Sequence, residues 1–140
     1  MRSIDSERKK QIATIIISSI GSSILASTIF HLLYTQLISM TVLIAGIYLI
    51  IPAVFIGIIN VDIKESMIAM VLSAVGTIFL TAFTRSIPAF MGILAQGDLF
   101  IFQQIAETVP LLFLMLPIMM VGTIIGVVIN EFVLTQYESA

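Results

Sequence analysis

Past the N-terminal tail, one stretch gathers groups able to do chemistry: Arg85, Asp98, Gln103, Gln104 and Glu107, within residues 84–108. A guanidinium beside carboxylates and amides can hold a lipid phosphate, pair with a partner, or act on a lipid ester. The expectation is that Arg85 pairs with Asp98 or Glu107 and folds this connection over the rest of the chain. Arg85, Asp98 and Glu107 are therefore the candidate contacts to lipid or to another protein. His31 is the single histidine, and as a haem or metal ligand it would need partners from a second chain. There is no cysteine, which removes disulfides, thiolate nucleophiles and cysteine-ligated metal. No Ser–His–acid arrangement, paired acidic motif or glycine-rich phosphate loop stands out. No catalytic, cofactor-binding or metal-binding residue is assigned, and the chain reads as a non-enzyme without a cofactor.

The remaining residues must place these groups, and their composition says in what solvent. Of 140 residues, 59% are hydrophobic and 10% charged, with a mean hydropathy of +1.19. Soluble domains average about 45–50% apolar and about 25% charged. A fold of this size cannot hide so much apolar surface from water, so lipid is part of its solvent. A formal net charge of −2 gives no footing for nucleic acid.

Four apolar stretches, at about 12–33, 38–59, 66–83 and 109–129, are long enough to cross a hydrocarbon core of about 30 Å. None contains Asp, Glu, Lys or Arg, the residues that mark ion and substrate paths in membranes. Small residues recur at four-residue spacing. Ser18, Ser22 and Ala26 form one row beside Gly21; Ser19, Ser23 and Ser27 form another. Ala69, Ser73, Thr77 and Thr81 make a ladder alongside Gly76. Gly46, Ala53 and Gly57 share a side of the second span, and Gly122 and Gly126 form a GxxxG pair in the fourth. Such rows let helices approach closely, and hydroxyls can bond carbonyls one turn back, so the rows read as packing seams before they read as a conduit. Pro52 and Pro117 each remove a backbone donor and predict kinks. The 84–108 connection, where Leu99, Phe102, Ile105, Ala106 and Val109 share a face, is expected to lie along the interface, or to re-enter the membrane over 87–96. Within it a short helix is expected to start near Ser86 and stop at Gly92 or Gly97, with Asp98 capping a second one. The polar tail 1–11 is expected to be solvated.

Cations set the orientation. Arg8, Lys9, Lys10 and Lys64 share one side of a four-span chain, with Arg85 opposite, which predicts cytoplasmic termini. The segment Leu49–Gly57 (LIIPAVFIG) returns as Leu114–Gly122 (LMLPIMMVG), and Gly21 aligns with Gly76 as Lys9 does with Lys64. That pattern suggests one hairpin used twice in parallel orientation. The fold class expected is all-α: an integral four-helix membrane bundle, multi-pass, in the plasma membrane. Its partners are membrane lipids and either other membrane subunits or further copies of itself. The leading expectation for function is an accessory or scaffold subunit of a membrane complex. The alternative is a homo-oligomeric channel or facilitator, its serine and threonine rows and Asn130 lining a path between subunits. A lipid-acting enzyme using Arg85, Asp98 and Glu107 stands behind both.

Overall fold

In the computed structural model the described residues are 2–36, 39, 41–60, 62–93 and 97–138. Every element among them is α-helical: α1 (Arg2–Thr35), α2 (Val42–Tyr48), α3 (Ile50–Ile59), α4 (Ile63–Phe90) and α5 (Gly97–Glu138). α2 and α3 are two halves of one span, so four helical stretches are long and apolar enough to cross a membrane. The chain runs up, down, up and down, leaving both termini at one end, called here the near end.

The first, third and fourth helices are longer than the apolar runs predict, while the second span is shorter, starting only at Val42. α1 includes the polar tail, where Asp5 and Lys9 stand four apart, a spacing that supports a helix. Asp62 starts α4 as its cap, its Oδ1 accepting the Lys64 N–H at 3.0 Å. The largest departure is at 84–108. Neither a separate interfacial helix nor a re-entrant turn forms over its described part, because α4 runs on to Phe90 through Pro88 and α5 already begins at Gly97. The helix that stops at Gly92 is α4 itself. Gly92 sits at φ +74°, its N–H donating to Ala89 O (3.1 Å) while Ile93 N–H donates to Pro88 O (3.1 Å). This double closure satisfies the last carbonyls and requires a left-handed residue, which glycine adopts without a Cβ penalty. The shared face Leu99, Phe102 and Ala106 points outward, while Gln104 and Thr108 turn inward and are buried. Ile105 and Val109, expected on the same face, are half-buried, and the segment continues directly into the fourth span. The Asp98 side chain, and residues 94–96 of the expected re-entrant turn, lie outside the described residues.

Two interfaces set the architecture. α3 packs on α5 through glycines at near-contact of their backbones. A Cβ on Gly57 would come within 2.7 Å of Val127 N and 2.8 Å of Gly126 C; one on Gly126 would lie 2.8 Å from Gly57 Cα. One turn away Gly122 faces Ala53 and Ile50, and further up α2, Gly46 faces the Ile118 side chain. α1 packs on α4 through the serine and threonine rows described below. Between these pairs Phe30, Leu49, Ile56, Leu112, Met115 and Met119 fill the centre, all 3% exposed or less.

The prolines act differently. Pro52 is buried and has no N–H for the Tyr48 carbonyl; the helix is interrupted for one residue, at Leu49, and the next bond, Ala53 N–H to Leu49 O, is long at 3.4 Å. Pro117 is exposed and lies within α5, whose helical path is unbroken. The matched glycines also have unlike neighbours: a Cβ on Gly21 would meet the Phe55 ring on α3, whereas one on Gly76 would meet Ser23 on α1. The sequence echo thus gives the two hairpins different contacts.

The α3–α5 contact makes a selective test. Gly57→Ala must push backbone from backbone and is expected to destabilise the protein by about 1–3 kcal/mol. Gly21→Ala meets only the rim of a movable ring, 3.2 Å away, and is expected to change stability far less. Reversible denaturant unfolding in detergent micelles reads both.

Candidate functional site

Hydroxyls come first, because they would line any path through the bundle. Ser73 Oγ donates to Ser22 Oγ (2.9 Å) and Thr81 Oγ1 to Ser27 Oγ (3.0 Å), and Ser23 shares its one O–H between Ser19 O (2.7 Å) and Ser73 O (3.0 Å), joining α4 to α1 over two turns. At the near end Asn60 closes the row: its Nδ2 donates to Ser18 Oγ and Ile56 O (2.9 Å each), and its carbonyl accepts Ser66 Oγ–H at 3.2 Å. One residue at the end of α3 therefore ties three helices together, α1 through its side chain and α4 through its backbone carbonyl. Thr77, Ser86, Thr108 and Thr123 donate to the carbonyl one turn back, at 2.7–2.9 Å. All are 0–7% exposed. These groups answer one another inside a single chain, as groups facing hydrocarbon must.

The second polar assembly is at the far end. Arg85 on α4 and Glu107 on α5 come together, with Nη1 and Oε2 3.5 Å apart. The guanidinium lies over the Tyr34 ring of α1, its carbon 4.0 Å from the centroid, and Tyr34 in turn stacks on Phe30 at 6.5 Å. Tyr34 Oη donates to Glu107 O at 3.4 Å, and Gln103 Nε2 donates to Glu107 Oε1 at 3.1 Å along α5. Three helices thus meet at one cation. Arg85 is placed there because α4 continues past Thr84. A helix ending at Phe83 would have left it on a loop.

Of the three candidate contacts, Arg85 and Glu107 are joined, and the Asp98 side chain lies outside the described residues. The small residues Gly21, Ser22, Ala26, Gly46, Ala53, Gly57, Ser73, Gly76, Thr77, Gly122 and Gly126 are at or beside helix–helix contacts within the chain. Three residues sit where the sequence alone does not place them. Asn60, 0% exposed, looked like loop because it ends an apolar run. Gln104, 2% exposed, looked too polar for a bundle interior. Tyr34 reads in the sequence as the start of a turn, and it is the packing of α1 on α4 that sets its ring against Arg85. Asn60 Oδ1 and Gln104 Oε1 are buried without a hydrogen-bond partner among the described residues.

Arg85 and Glu107 together can hold a polar group, neutralise each other, or receive a partner's charge. Among the described residues no group of three histidines, cysteines or carboxylates is near enough to hold a metal. Comparison with family models, curated proteins and solved structures finds no match.

The interhelical hydroxyl bonds are open to a double-mutant cycle. Ser27→Ala and Thr81→Val are expected to couple by about 0.6 kcal/mol, the average for hydrogen bonds between membrane helices. Unfolding of the two single variants and the double variant in micelles measures it. Additive losses would mean that the bond contributes nothing.

Proposed function

We propose that this protein is a non-enzymatic accessory or scaffold subunit of a membrane complex, lying in the plasma membrane with both termini on the cytoplasmic side. The observation that carries the reading is the disposition of its polar side chains. The buried hydroxyls bond within the chain, and along the apolar stretches the outward surface is made mostly of large apolar residues such as Ile20, Phe79, Phe113 and Val128. A rigid body with an apolar exterior and self-satisfied hydroxyls suits association through its surface. The homo-oligomeric channel fits less well, since its lining would have to come from rows already engaged between α1 and α4. Liposome flux is its test.

Orientation rests on cations. Arg8, Lys9, Lys10 and Lys64 stand at the near end and Arg85 at the far end, and basic residues in short flanks favour the cytoplasm. Because the chain has no cysteine, a single introduced thiol reports topology cleanly. Met91→Cys, 72% exposed at the α4 terminus, is expected to react with a membrane-impermeant maleimide added outside intact cells, and Glu7→Cys only after lysis. The opposite pattern inverts the assignment.

Release of the protein from its own membrane in mild detergent, followed by native mass spectrometry, tests the subunit reading. Expected is co-release with unlike subunits at fixed stoichiometry. A clean homo-oligomer, or catalysis by the isolated chain, would end it.

A further inference from the structure

Two grooves run along α4 toward the far end, one on each side, and Leu80 borders both. The first, of about 360 Å³, lies between α1 and α4 and is lined by Ile24, Ser27, Thr28, His31, Leu80 and Thr84. The second, of about 410 Å³, lies between α4 and α5, with Phe79, Phe83, Ile101 and Ile105 in its walls. From Gly76 to Thr84 they cover nine residues of α4, a rise of about 12 Å, a depth within one leaflet of a bilayer core about 30 Å thick. The polar end of the first groove, His31 and Thr84, is its far end. Tyr34 stands one turn beyond His31, and Arg85 follows Thr84.

At that end Arg85 has donors to give. A guanidinium carries five N–H groups. Its one charged neighbour among the described residues is 3.5 Å from Nη1, longer than a charge-assisted bond of about 2.7–2.9 Å; Nη1 is itself buried, but the side chain is 23% exposed, so an outside acceptor meets the other N–H groups of the guanidinium. The Tyr34 ring fixes the guanidinium plane, so an acceptor finds it already oriented. Glu107 is the more open of the two, its side chain 45% exposed.

We propose that this end of α4 binds one diacyl phospholipid whose headgroup is a zwitterion of phosphate and primary ammonium, with a chain in each groove. Arg85 takes the phosphate and Glu107 the ammonium. The adjacent opposite charges favour such a headgroup: a purely anionic one would set a second negative charge against the Glu107 carboxylate. A quaternary ammonium has no N–H to donate to it. His31 and Thr84 lie where the glycerol oxygens would pass from headgroup to chain. The site is independent of whether the chain is a subunit of a larger complex.

The test uses the whole protein, stripped of lipid in detergent and offered equal amounts of phosphatidylethanolamine, phosphatidylglycerol and phosphatidylcholine with the same chains. Native mass spectrometry then reads the lipid retained. One phosphatidylethanolamine should survive at collision energies that remove bulk lipid, with retention at least tenfold above the other two. Glu107→Gln should abolish that preference over phosphatidylglycerol, and Leu80→Trp, which puts a bulkier side chain at the border of both grooves, should lower retention of all three alike. Equal retention of the three lipids by the unaltered protein overturns the proposal without any variant. So does a preference for phosphatidylglycerol, or for phosphatidylcholine at the level of phosphatidylethanolamine. Unchanged retention in a folded Arg85→Gln protein would remove the headgroup contact.

Discussion

Backbone lies against backbone where Gly57 on α3 crosses Gly126 on α5, and the rest of the bundle is arranged around that approach. Hydrocarbon does not press apolar helices together as water does, so close van der Waals packing has to supply the association. With no Cβ at either glycine, the two axes come near enough for Ala53 and Ile50 to reach Gly122 one turn on. The span then has to part from α5 at its upper half, and it breaks at Leu49, where Pro52 has already removed a backbone bond. Large central side chains such as Phe30 and Met115 fill the width so created.

α1 and α4 are joined by another means. Their rows of serine and threonine are small enough for close contact and polar enough to bond across it, and burial without a partner would cost more than the bond returns. Asn60 extends the same logic to α3 through Ser18 and Ser66. At the opposite end, Arg85, Tyr34 and Glu107 connect α1, α4 and α5 by charge and ring contact instead of hydroxyls. The two ends of the molecule thus differ in the chemistry that closes them.

The sequence makes much of this legible because lipid simplifies the code. Uncharged runs give the spans, and four-residue spacing of Ser18, Ser22, Gly122 and Gly126 gives the faces that meet. It also brings Arg85 into reach of Glu107, though by the wrong route. What cannot be read locally is polarity whose partner lies on another helix. Gln103, Gln104 and Glu107 look like interface because nothing nearby in sequence offsets them; in the fold Gln103 and Arg85 flank Glu107, and α5 continues straight through. Asn60 is the same case at the other end. The matched hairpins are a different matter, since a small apolar alphabet produces echoes, and Gly21 and Gly76 meet unlike neighbours.

The pairing of α1 with α4 has a consequence for how the chain is made. Ser22, Ser23 and Ser27 find their partners 51, 50 and 54 residues downstream. When α1 leaves the ribosome and enters the membrane, those partners have not been synthesised, and the next span delivered, α2 with α3, offers Asn60 to Ser18 alone. The hydroxyl face of α1 therefore waits, bonded to its own carbonyls and to whatever the insertion machinery provides, until the second hairpin arrives. Completion of the seam marks the arrival of α4, with α5 still to dock on α3. A protein cut short before α4 would keep that face open, and a cell that inspects membranes for unmatched polar surface could recognise the fragment by it.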